Sequence, residues 1–286
     1  MRVVSLVPSG TLLLRALGVE PVGVSHSCPN PLGVPVVTES LIPKGLPQGE
    51  IDRRVREAYR EGRSLYRVRG EVLARLEPDL LLTQGVCEVC AVTPGEVAWA
   101  QAFLPRSPRV LELKGVRLQG LFADILALGE ATGREEGARL LVEGLRERLA
   151  SLPPPPPERP TVAFLEWLDP PYLGGHWVPD MVARAGGRYL GPRAGMPSRR
   201  APSLPQAEVV FLSFCGYGLA EAWEVVAAHL AEGGPLAAYL GGRRAYVLEA
   251  SPFQALTPLV AEGVWVLARL LRGQEVPAHL ARRVAP

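Results

Sequence analysis

Four cysteines invite the first question about chemistry. Cys87 and Cys90 form a C-x-x-C pair directly after the apolar run Leu80-Leu81-Leu82-Thr83. Cys28 follows the run at 21–25, and Cys215 follows the run at 209–214. With His26 they could make a soft-metal site, since thiolate and imidazole suit zinc and other borderline metals. Zinc on His26, Cys28, Cys87 and Cys90 is therefore one expectation. C-x-x-C occurs only once, without the paired spacing of a zinc ribbon, and a buried free cysteine also serves as a small hydrophobe. A redox role needs the pair to open a helix, which lowers a thiol pKa. Here Thr93-Pro94-Gly95-Glu96 reads as the helix start, so both cysteines and Glu88 fall in the preceding loop.

A second candidate is Leu173-Gly174-Gly175-His176-Trp177-Val178-Pro179, a glycine-rich turn entering a helix. Glycine lets backbone approach a ligand closely, and Trp177 offers a flat apolar face. The same residues would equally make a helix-entry turn with Trp177 in the core. No phosphate loop, dinucleotide fingerprint or nucleophile elbow is present. Glu88, Glu166, Asp169 and Glu249 near strand ends form no acid–base pair, so nothing argues for an enzyme acting by covalent or hydrolytic catalysis.

These residues need strands and helices to place them. Short apolar runs alternate with helical patterns, which indicates βαβ units and a mostly parallel sheet. Strands are expected at 3–7, 21–25, 34–37, 79–83, 109–113, 161–166, 208–214 and 245–249. Helices are expected at 11–17 with Ser9 as N-cap, 51–60, 71–76, 94–103, 118–128, 177–185, 220–230 and 254–271. Thr132 and Glu135 have capping-box spacing, and a helix at 134–152 would be a rod of roughly 29 Å. Five prolines at 153–157 stop it as a stiff spacer. The expected organisation is an N-terminal α/β lobe at 1–133, a connecting helix and Pro-rich spacer at 134–157, and a C-terminal α/β lobe at 158–286. The fold class is α/β: two Rossmann-like lobes with mostly parallel sheets, joined by one long helix. In such sheets ligands bind beyond the carboxyl ends of the strands.

The 286 residues are 48% hydrophobic and 21% charged, with a formal net charge of +2. That is ordinary for a globular protein and gives no nucleic-acid signature. No run reaches the roughly 18 apolar residues of a membrane span. The first residues read as a strand and not as a secretion signal, which leaves a cytoplasmic location open.

The string Arg2-Val3-Val4-Ser5-Leu6-Val7-Pro8-Ser9, followed by Val22-Gly23-Val24-Ser25-His26-Ser27-Cys28, resembles the helical-backbone substrate-binding proteins of metal-chelate ABC importers. Glu71-Val72-Leu73-Ala74-Arg75-Leu76-Glu77-Pro78-Asp79-Leu80 looks like the family's E-x-L-x-x-L-x-P-D-L segment. The stretch 84–92, with 177–182 and Gly186-Gly187, is similar to its cobalamin-binding subgroup. The resemblance implies an extracytoplasmic, monomeric, non-enzymatic protein that holds a chelate between its lobes for an ABC permease dimer. Cobalamin is the leading ligand; haem or a ferric siderophore is the alternative, the anionic siderophore calling for Arg193, Arg199 or Arg200. A cytosolic metal-binding or redox protein using Cys87 and Cys90 is the rival. The implied ligand loops carry Pro8, Ser9 and Gly10; His26, Ser27 and Cys28; Gln84, Cys87, Glu88 and Cys90; Trp167, Gly175, His176 and Trp177; and Cys215, Gly216 and Tyr217. Tyr66 joins Trp177 as an apolar face, and Glu71 matches an acidic residue with which the family docks on its permease.

Overall fold

The computed structural model describes residues 1–85 and 104–284. The chain divides into two compact units, one of residues 1–115 and 119–144, the other of residues 116–118 and 145–286.

In the first unit the strands are β1 (Val3–Ser5), β2 (Gly23–Val24), β3 (Thr38–Ser40), β4 (Tyr66–Val68), β5 (Leu80–Gln84) and β6 (Arg109–Leu113). Its helices are α1 (Pro8–Ala16), α2 (Gln48–Arg60), α3 (Gly70–Leu76) and all but the first residue of α4 (Leu118–Thr132), while α5 (Glu135–Ala150) starts in this unit and has its last six residues in the other. The main sheet has the order β2-β1-β5-β6 and is parallel throughout; β3 and β4 pair separately as an antiparallel ribbon. Leu80, Leu81 and Leu82 are wholly buried, as a parallel strand covered on both faces requires. Leu73 of α3 and Val68 of β4 join Val4, Leu6 and Leu81 in one core.

In the second unit the strands are β7 (Thr161–Leu168), β8 (Pro171–Leu173), β9 (Arg188–Tyr189), β10 (Arg199–Arg200), β11 (Val209–Leu212), β12 (Arg244–Leu248) and β13 (Ala281–Arg283). The helices are α6 (Val178–Ala185), α7 (Leu219–Ala231), α8 (Pro235–Leu240) and α9 (Val260–Leu271). β9, β7, β11 and β12 are parallel, while β8, β10 and β13 add antiparallel pairs at the margins. The sheet is therefore mixed.

Several sequence expectations are corrected. Ser9 does not cap α1: the helix begins at Pro8 with Val7 as N-cap and no side-chain cap bond. Proline suits that place because its missing N–H would be unpaired there in any case. Thr132 makes no capping box. It ends α4, and its hydroxyl donates to the Leu128 carbonyl at 2.7 Å. The helix expected to stop at Leu128 thus runs on through Gly129. The helix expected from 254 starts only at Val260, because Pro258 holds the residue before it out of helical geometry. The segment 34–37 contributes only a bridge between Val36 and Val24. The helix expected at 94–103 lies outside the described residues.

Candidate functional site

The order β2-β1-β5-β6 reverses direction between β1 and β5. Such a switch point is where open α/β sheets bind ligands. In the first unit it is bridged by side chains: Ser9, the second residue of α1, donates its hydroxyl to Oε1 of Gln84 at the end of β5, at 3.0 Å. Pro8 and Gln84, both partly exposed, form the rim, whereas Ser9 itself is buried.

His26 lies beside this rim, just beyond β2. Its backbone N–H donates to Thr38 Oγ1 at 2.9 Å, and its ring Nδ1 lies 2.8 Å from the same oxygen. The ring centroid is 5.1 Å from that of Tyr66 on β4. Burial, with Lys44 and Arg69 adding to it, pushes the imidazole below its ordinary pKa, so it is neutral near pH 7. Ser27 is exposed, and its hydroxyl lies 3.0 Å from that of Ser25. Glu71 is exposed in the first turn of α3. A helix leading into a parallel strand runs back along the sheet, which puts its N-terminus at the edge where strands end.

The second unit repeats the arrangement. Its parallel order β9-β7-β11-β12 reverses between β7 and β11. Trp167, near the end of β7, and Tyr217, beyond β11, meet there edge-to-face with centroids 5.7 Å apart. Both are partly exposed, and Cys215 and Gly216 beside them are exposed. Trp167 donates Nε1–H to the Asp169 carbonyl at 3.0 Å, and Tyr217 also stacks edge-on against Phe214. Two aromatic rings fixed by neighbours at a strand-end crevice offer an apolar wall to a flat ligand.

His176 has φ of 50°, an uncommon conformation for a residue with a side chain. It is held by its amide donating to the Met196 carbonyl at 2.6 Å and by its own carbonyl accepting from Gly195 at 2.8 Å. Burial pushes its pKa down, and its Nδ1 is buried without a hydrogen-bond partner among the described residues.

Other nominated residues have surroundings supplied by the protein itself. Trp177 is 8% exposed and donates Nε1–H to the Phe253 carbonyl at 2.7 Å, so its indole packs in the core. A Cβ at Gly175 would lie 2.3 Å from the Ser198 nitrogen; the approaching backbone is the chain's own. A Cβ at Gly10 would strike Leu82 at 2.6 Å, so that glycine seats α1 on the sheet. Cys28 is buried with its sulfur 3.1 Å from Ser25 Oγ. Among the described residues no three His, Cys, Asp or Glu side chains gather as a metal site, so zinc finds no support. Cys87, Glu88 and Cys90 lie outside the described residues. Arg199 and Arg200 are consecutive on β10, so their side chains leave opposite faces and do not converge.

Thr38 was not legible in advance. It lies twelve residues beyond His26, and no spacing rule links a strand-end loop to an antiparallel ribbon that comes back beside it. The Ser9–Gln84 bond spans 75 residues, although both ends follow predicted strands.

No protein-family model matches the sequence, and no curated protein matches it. Solved structures do. A periplasmic haem-binding protein from Pseudomonas aeruginosa matches with a TM-score of 0.67 at 18% identity, over 100% of this chain and 98% of that one. The periplasmic vitamin B12 binding protein BtuF of Vibrio cholerae matches at 0.60 and 17%, over 96% and 98%. An ABC transporter substrate-binding protein from Listeria monocytogenes EGD-e matches at 0.67 and 16%, over 96% and 99%. The likeness runs the length of the chain and is one of fold.

Proposed function

We propose that this chain, which has the fold of haem-binding, vitamin B12-binding and ABC-transporter substrate-binding proteins, is itself a non-enzymatic binding protein for a tetrapyrrole-type metal chelate, haem or a corrinoid. The observation that carries this reading is the Trp167–Tyr217 pair at the β7/β11 switch point. A tetrapyrrole is a broad, flat, mainly apolar disc, and such a disc is held by aromatic contact more than by charge. A ferric siderophore is less well matched, because the Arg199 and Arg200 side chains diverge.

Delivery to an ABC permease outside the cytoplasm is part of the proposal. Among the described residues no helix is long and apolar enough to cross a membrane, so transport would need a separate permease. Exposed Glu71 is the proposed docking carboxylate. Glu71→Arg should leave chelate affinity unchanged and abolish stimulation of the cognate permease's ATPase; unchanged stimulation would remove it from that role.

The test is the absorption spectrum of the protein mixed in turn with haem, aquocobalamin and a ferric siderophore. The proposal expects a saturable spectral change with haem or aquocobalamin at micromolar concentrations. A change with the siderophore alone, or none with any of the three, would refute it.

A further inference from the structure

Resting on that reading, we propose that His26 is a fixed hydrogen-bond donor that offers its Nε2–H to a carboxylate on the chelate's periphery and is not a ligand to the metal. The argument is a count of hydrogens at Thr38. A threonine hydroxyl has one hydrogen to give and two lone pairs to receive with. One lone pair receives the His26 amide N–H at 2.9 Å. Thr38 is wholly buried, so its hydroxyl hydrogen must find an acceptor inside the protein. The acceptor in reach is His26 Nδ1, at 2.8 Å.

The opposite assignment has Nδ1–H donating to Thr38. The hydroxyl hydrogen would then have no acceptor in a fully buried place, the expensive way to arrange these atoms. The neutral ring therefore carries its proton on Nε2. A nitrogen that holds a proton has no lone pair for iron or cobalt. Protonating the whole ring would also give Nδ1 a hydrogen, and burial, Lys44 and Arg69 all oppose that charge.

The same two cations indicate what the donor meets. Arg69 is partly balanced by Glu39 at 3.4 Å. Positive charge acting on a neutral N–H donor favours an anionic acceptor over a neutral one. Haem carries two carboxylate arms, whereas the periphery of cobalamin is mostly amides. The proposal thus narrows the ligand class to carboxylate-bearing tetrapyrroles.

Two measurements test it. Long-range ¹H–¹⁵N correlation on histidine-labelled protein without ligand should show His26 Nε2 protonated and Nδ1 bare. A bare Nε2 would overturn the proposal. Thr38→Val, which takes away the hydrogen donated to Nδ1, should relax the ring to a mixture of tautomers; an unchanged pattern would overturn the proposed cause.

Absorption titration should then show the wild type preferring haem to its dimethyl ester by roughly tenfold or more, the scale of a hydrogen bond to a charged group. His26→Phe, which keeps a ring against Tyr66, should erase that preference without altering the metal's coordination bands. A preference that survives, or coordination bands that change, would refute the donor role. If the wild type binds neither form, the chelate reading fails and the carboxylate claim falls with it, while the tautomer measurement still decides the state of the imidazole.

Discussion

Two tryptophans that look alike in the sequence have opposite surroundings. Trp177 is buried with its indole N–H satisfied by Phe253, whereas Trp167 stands partly exposed against Tyr217. Trp177→Ala should cost about 3–5 kcal/mol of stability, as for other large-to-small changes in a core, read as a lower denaturation midpoint. Trp167→Ala should leave the midpoint nearly unchanged and weaken chelate binding. The histidines give a pH signature. Both His26 and His176 have pKa values pushed down by burial. A base with a depressed folded pKa contributes stability that is complete above its unfolded value and is lost as pH falls toward the folded one. The urea midpoint should therefore drop between about pH 7 and pH 5, below the ordinary histidine value of about 6.5. The double variant His26→Gln, His176→Gln should flatten that slope; an equal slope in the variant would assign it to other groups. At this scale the sequence was a partial guide. It nominated His26, Gln84, Trp167 and Tyr217 from their place after strands. It could not separate Trp177 from them, because burial depends on Phe253, 76 residues away.

At the scale of elements, the long buried strands were legible and the marginal ones were not. Leu80–Gln84 and Val209–Leu212 are continuous apolar runs, and they form central strands. β8, β10 and β13 have two or three residues each, too few for any period to show. Gly129 was misread for a physical reason. Glycine weakens a helix, and here it marks a near approach between two helices. A Cβ at Gly129 would lie 2.4 Å from the Cβ of Ala138 on α5. Gly129→Ala should gain about 1 kcal/mol of helix propensity and lose about 1–3 kcal/mol to overpacking. The net expectation is destabilisation, measured by chemical denaturation. A raised midpoint would show that α4 and α5 separate at little cost.

At the scale of the whole molecule, the two units share one plan without sharing a detectable sequence repeat. Each places four parallel strands in the same order, with the first strand flanked by the second and third. The order recurs because right-handed crossovers leave few ways to build such a sheet, while the side chains at its switch point are free to differ. One unit presents hydroxyl, amide and imidazole there, the other an aromatic pair. Fold class was readable from the alternation of strands and helices. The chemistry at the strand ends was readable only as a set of candidates, because partners such as Thr38 come from elements distant in the chain. The claim rests most heavily on the aromatic wall, and the most direct measurement is an absorption titration with haem and aquocobalamin of the wild type beside the double variant Trp167→Ala, Tyr217→Ala, its fold confirmed by circular dichroism. The account predicts saturable one-site binding by the wild type to at least one of the two and an affinity lower by about tenfold or more in the variant. Superimposable curves for the two proteins, or no saturable change in the wild type, would contradict it.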